Sequence, residues 1–186
     1  YSGTVERAYQ ITPAQLTVAA DSKTKTFGEA DPELTHTDGK AVKEEVPAFT
    51  GALERDEGED AGKSYTIRRG SLDLADNPET GFKASNYEIS FQEGTLTITD
   101  KSIETGKDVK VDSPTDVPYD GDAHKWAPTV TDGETALEAG VDYEVSYSTD
   151  NFTDVTGEIK VTITGKGNYS GTVERAYQIT PAQLTV

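Results

Sequence analysis

The first eighteen residues, YSGTVERAYQITPAQLTV at Tyr1–Val18, recur residue for residue at Tyr169–Val186, a spacing of 168 residues. Such a repeat constrains the architecture before any local pattern does, because the stretch between its copies is one full period of a tandem array. Identity this complete marks recent duplication. Stalks, adhesins and multivalent binders use identical tandem copies, whereas enzymes rarely need them. A period of 168 is long against the roughly 20–50 residues of a solenoid unit. It divides better into two domains, which we place at residues 13–99 and 100–180. Residues 1–12 are then the closing strand of a preceding copy, and residues 181–186 begin the next. The chain holds no Met and starts inside the pattern, so we expect it to be a piece of a longer protein. Tyr1–Thr12 should have no partner sheet of its own, and should be disordered or pair with a neighbouring molecule's edge.

Period-two alternation dominates both halves and predicts half-buried strands. Tyr65 and Ile67 alternate in SYTIR, Ile89 and Phe91 in YEISF, and Leu96 and Ile98 in GTLTI. Gln92–Gly94 reads as a hairpin turn with glycine at positive φ. In the second half Tyr143, Val145 and Tyr147 alternate, as do Ile159, Val161 and Ile163, then Val173, Tyr177 and Ile179. Gly165–Asn168 (GKGN) reads as a hairpin loop. Asn86-Tyr87 and Asn168-Tyr169 each start a closing strand, and their tyrosines should plug the end of a core. Helical spacing occurs only over Ala41–Phe49, where Pro47 limits it to a turn or two. The expected fold is mainly β: two small tandem domains, immunoglobulin-like sandwich or β-grasp-like, forming an elongated rod.

Composition narrows the function. Hydrophobic residues are 33% of the chain, against about 45–50% in a typical domain, a range that also counts glycine. Thin modules suit this better than one deep core. Acidic residues number 34 against 17 basic, a net charge of −17, which repels nucleic acid and anionic lipid. No apolar run is long enough to span a membrane as a helix. With no Cys, disulfides, thiolate nucleophiles and zinc–thiolate sites are excluded. This cysteine-free, acidic composition suits an extracellular bacterial protein.

Few residues carry candidate chemistry. No GxSxG, HExxH or P-loop pattern occurs, and neither His36 nor His124 sits in a triad, so no enzyme is expected. Asp56, Glu57, Glu59 and Asp60 cluster in RDEGEDAG, an oxygen-rich loop that is either a cation site or simply solvated. Asp120 and Asp122 in YDGDAH, and Asp150 and Asp154 around Asn151, are candidate Ca²⁺ ligands, since that cation prefers carboxylate and carbonyl oxygen. Loops of this kind are also what any strongly acidic chain contains. Trp126, near Tyr119 and His124, is either an exposed platform for a sugar ring or a core or domain-junction tryptophan. An exposed indole favours binding, a buried one a stalk. Lys110 is placed for an autocatalytic isopeptide bond, with no nameable partner.

The stretches Phe27–Thr35 (FGEADPELT), Gly51–Ile67 and Asn86–Ile98 resemble the MBG type of bacterial surface repeat, associated with mucin-binding-like adhesins. That family usually has Tyr where this chain has Phe27. Val117–Gly133, Leu137–Asp150 and Val161–Thr180 resemble a second surface repeat of Gram-positive bacteria. The resemblance implies a stalk unit of a cell-wall-attached adhesin that projects a distal binding domain. Its partners are then the neighbouring identical repeats. The alternative it leaves is weak binding of mucin or host glycan by each repeat, with avidity from copy number. It brings no defined catalytic or binding residues.

Overall fold

The computed structural model describes residues 3–184. Up to Thr99 the strands are β1 (Ala14–Ala20), β2 (Lys23–Thr26), β3 (His36–Asp38), β4 (Ala48–Thr50), β5 (Glu54–Arg55), β6 (Ser64–Arg68), β7 (Asp73–Ala75), β8 (Tyr87–Gln92) and β9 (Gly94–Thr99). From Lys101 they are β10 (Lys101–Ser102), β11 (Val109–Val111), β12 (Val117–Pro118), β13 (Val130–Asp132), β14 (Thr135–Ala136), β15 (Tyr143–Tyr147), β16 (Glu158–Gly165), β17 (Tyr169–Ser170) and β18 (Thr172–Thr180). The chain is mainly β, as the alternation requires. The short helix expected near Ala41–Phe49 is reduced to a 3-10 turn at Val42–Glu44, and Lys43 there sits at φ 55, outside helical geometry. Pro47 and the following strand β4 leave no room for a second turn.

The strands before Asp100 form sheets in the orders β3–β1–β8, β2–β9–β6–β5 and β4–β7. Those after it form β12–β18–β16–β15, β11–β13–β14 and β10–β17. Two compact units result. The first gathers the chain up to Lys25 with Asp31–Gly58 and Ser64–Thr97. The second gathers Thr26–Ala30, Glu59–Lys63 and the chain from Ile98 onward.

The first unit's core holds Leu16, Val18, Leu72, Phe82 and Tyr87, with Phe82 stacked on Tyr87 at 4.7 Å. Ala20, Ile67 and Leu96 form a second cluster. The second unit's core is built on Val130, Tyr143, Ile159, Val161, Ile163 and Ile179, with Tyr169 and Tyr177 against them. Strand alternation explains both, because every second side chain turns inward. Tyr87 and Tyr169 are each 8% exposed and close a core, the place expected for them.

One turn differs from expectation. Gln92–Gly94 is not a hairpin: β8 pairs with β1 in one sheet and β9 with β6 in another, so the chain passes straight from sheet to sheet. Gly94 is not at positive φ. A Cβ there would lie 2.7 Å from the Ala20 carbonyl oxygen, so glycine serves close approach of two backbones. The GKGN loop does turn β16 back onto β18, with Gly167 at φ 66.

The segment from Gly3 to Pro13 forms no strand and is exposed throughout. Val5, Tyr9 and Ile11 are 78%, 88% and 91% exposed. Of their duplicates in β18, Tyr177 and Ile179 are buried and Val173 is half-buried. Tyr1 and Ser2, which belong to the first copy, and Thr185 and Val186, which belong to the second, lie outside the described residues.

Candidate functional site

In the second unit several side chains gather around His124–Trp126. Two tyrosines pin this stretch by its backbone. Tyr177 Oη of β18 donates to the His124 carbonyl at 2.7 Å and accepts from Trp126 N–H at 3.3 Å. Tyr147 Oη of β15 donates to the Trp126 carbonyl at 2.7 Å. Lys125 Nζ lies 4.6 Å from the Tyr147 ring centre and 5.1 Å from that of Phe152, and those two rings meet edge to face. Both distances are within cation–π range. His124 Nε2 is 2.8 Å from the Asp120 carboxylate.

Trp126 is half-buried and packs on the second unit's core, so it is neither an exposed platform nor a core residue. It lines a recess of about 250 Å³ with Thr115, Val117, His124, Lys125 and Tyr177. Tyr119 is 41% exposed.

The acidic candidates are engaged locally. Asp120 accepts the Asp122 backbone N–H and a hydrogen bond from His124, which hold its carboxyl below the usual range. Asn151 Oδ1 accepts the N–H groups of Thr153 and Asp154, and its Nδ2 donates to Asp154 at 3.0 Å. Among the described residues no three His, Cys, Asp or Glu gather as metal ligands would, so the two Asp pairs do not form one donor set. In RDEGEDAG, Arg68 grips Asp56 with two bonds of 2.7 and 3.0 Å. Lys110 is exposed on β11, opposite Thr131, which removes the burial an isopeptide bond needs.

Two ion-pair networks were not visible in the sequence. Lys25 is buried at 6% exposure and its ammonium lies 2.6 Å from Asp31, which Arg55 also holds from Nε at 2.7 Å. Lys101 Nζ lies 2.6 Å from Asp132, which also accepts from Tyr169 Oη at 3.2 Å. Alternation through Leu16, Val18 and Ala20 puts even-numbered residues inward. The break at Asp21–Ser22 between β1 and β2 flips that parity and turns Lys25 in.

These features can be set beside known proteins. Residues 16–97 match the family model described as MBG domain (YGX type). The MBG-matched stretch runs from Leu16 in β1 to Thr97 in β9. It contains the Lys25–Asp31–Arg55 network and Tyr87, all of them structural. No curated protein matches the chain. Phe27, the departure from the family's usual Tyr, packs edge to face on Tyr169 at 5.6 Å. No described helix is long and apolar enough to cross a membrane.

Proposed function

We propose that this chain is a non-catalytic repeat of a bacterial cell-surface adhesin, a length of stalk that projects a distal binding domain from the cell wall. The observation that carries this reading is the repeated segment itself. As YSGTVERAYQIT it closes the second unit through β17 and β18. As PAQLTV it leads into β1 after a single proline, Pro13. A following copy would therefore begin one residue after β18 ends. Within the period, Asp100 alone separates β9 from β10. Joints this short leave little slack, and like charge on both halves (nine basic against 17 acidic residues from Pro13 to Thr99, seven against 16 from Asp100 to Thr180) opposes collapse of copies on one another. The MBG match and the likeness of Val117–Thr180 to a second surface repeat fit the same role.

Small-angle scattering on arrays of one, two and four periods tests it. The maximum dimension should grow in proportion to copy number. Compaction into a shape that barely lengthens would remove the stalk.

The Trp126 recess favours a second reading, weak binding of mucin or host glycan with avidity. A three-period array should then bind immobilised mucin far more tightly than one period, and Trp126→Ala should abolish the binding while the protein stays folded.

A further inference from the structure

We propose that each unit is built to carry tension as a shear clamp, in which strands near its point of entry lie parallel to, and hydrogen-bonded with, strands near its point of exit. This deepens the stalk reading and takes from it only the direction of load, along the chain from one end of a unit to the other.

In the first unit the entering strand is β1, and the chain leaves through its last two strands, β8 and then β9, of which β8 is the one that meets β1. They pair in parallel from Ala14↔Tyr87 to Ala19↔Gln92. The same offset persists past β1, where Thr95 N–H donates to Ser22 Oγ at 3.1 Å. Leu16 and Val18, both fully buried, and Tyr87 interlock on the inner side. On the outer side Gln15 Nε2 donates to Glu88 at 2.7 Å.

In the second unit the entering chain meets the leaving chain twice. β10 runs parallel to β17, Lys101↔Tyr169 and Ser102↔Ser170. That pairing is extended by Lys101 N–H to the Asn168 carbonyl at 2.9 Å and Ile103 N–H to the Ser170 carbonyl at 2.8 Å. β12 runs parallel to β18, Val117↔Ile179 and Pro118↔Thr180, with Tyr119 N–H on the Thr180 carbonyl at 2.8 Å. The Lys101–Asp132 ion pair ties the entry point down a further time.

Direction is what matters in this arrangement. Tension on the two ends drags the entering strand backward and the leaving strand forward along one shared axis. Every hydrogen bond between them is then stretched at once and must fail together. An antiparallel pair pulled open at its end, such as β15–β16, loses its bonds one after another under a smaller force. Parallel pairing is slightly less stable per residue than antiparallel and is the rarer choice. Equilibrium stability alone therefore gives no reason for it here. Yet β1–β8, β10–β17 and β12–β18 each join an early strand of a unit to one of its last two, in two units of unlike sequence.

Single-molecule pulling on the whole chain tests the clamp. The chain has no cysteine, so introduced pairs define the direction of pull. Handles at Thr12→Cys and Ala182→Cys, both exposed positions, load the two units end to end. Handles at Glu144→Cys and Thr164→Cys, exposed and directly opposed across β15 and β16, open the second unit by peeling. The expected result is two end-to-end rupture events, each at several-fold higher force than the peeling event. Equal or lower end-to-end forces would overturn the clamp. They would not touch the stalk reading, which stands or falls on the growth of array length with copy number.

Discussion

Lys25 shows how much one residue governs in a chain this acidic. A buried ammonium is tolerated only when a carboxylate and its hydrogen bonds compensate lost hydration. Here Asp31 is part of that compensation, and Arg55 and Lys25 hold it together. Asp31→Ala should destabilise the protein by about 1–3 kcal/mol, because it takes a charged hydrogen-bond partner from a buried ammonium, and Lys25→Met should cost clearly less, since it removes the charge and keeps the volume. Chemical-denaturation midpoints of the two variants decide the order. The same network sets an acid limit. Hydrogen bonds from Arg55 and then Lys25 hold the Asp31 carboxyl below its usual range. A lowered folded-state pKa contributes stability that is present above the unfolded value and lost as pH falls through the folded one. Asp31→Asn should therefore flatten the acid limb of the stability–pH curve. Tyr169 gives the alkaline counterpart. Burial, then the nearby Asp132 charge, push its phenol up to about 12. Its contribution is complete below the unfolded value of about 10 and is lost as pH rises towards about 12. In an absorbance titration the Tyr169→Phe difference spectrum should show a phenol that ionises well above pH 10, and a difference centred near pH 10 would refute this assignment.

At the scale of elements, the chain contains its own control. Ile11 and Ile179 occupy the same place in the same sequence, one 91% exposed in a segment without a strand and the other 1% exposed in β18. What differs is the presence of β16 and β12 beside it. Ile179→Ala should cost about 2–5 kcal/mol, and Ile11→Ala should stay within about 0.5 kcal/mol of the parent. Equal effects in thermal melts would mean that residues 3–12 are packed in solution. This pair also marks what the sequence can reveal. Alternation in SYTIR, YEVSY and EIKVTITG gave the strands, since period two is a local property. It could not give β8 and β9 to separate sheets, because only the close approach of Gly94 to Ala20 distinguishes that passage from a turn. It could not find Lys25, since the parity break at Asp21–Ser22 has no signature beyond two polar residues. Trp126 was legible as a candidate and its half-burial was not, for that depends on Tyr147 and Tyr177 arriving from distant strands. Gly94→Ala should cost about 1–3 kcal/mol, the usual penalty for overpacking, and a melt of that variant checks the close approach independently.

The whole molecule is less divisible than its sequence suggests. The second unit includes Thr26–Ala30 and Glu59–Lys63, segments that precede Asp100 by many residues. Their contributions are specific. The Phe27 ring meets Tyr169 edge to face, and Ala61 N–H donates to Asn168 Oδ1 at 2.9 Å. Phe27 N–H also bonds the Thr99 carbonyl at 2.8 Å, next to the point where β10 begins. Residues 100–184 taken alone would keep β10 to β18 and most of the buried side chains, yet lose these contacts. An edge-to-face aromatic pair is worth about 0.5–1.5 kcal/mol, and each hydrogen bond about the same net. The excised segment should therefore fold with the same strands and be less stable than the same residues in the full chain by roughly 1–3 kcal/mol. Hydrogen exchange at the amides of Ile159, Val161 and Ile163 reads both forms at the centre of the core. Equal protection would show that the two borrowed segments add nothing. Faster exchange, reproduced in the full chain by Phe27→Ala, would show that they complete the second unit, so that cutting the repeat between Thr99 and Lys101 divides a folding unit.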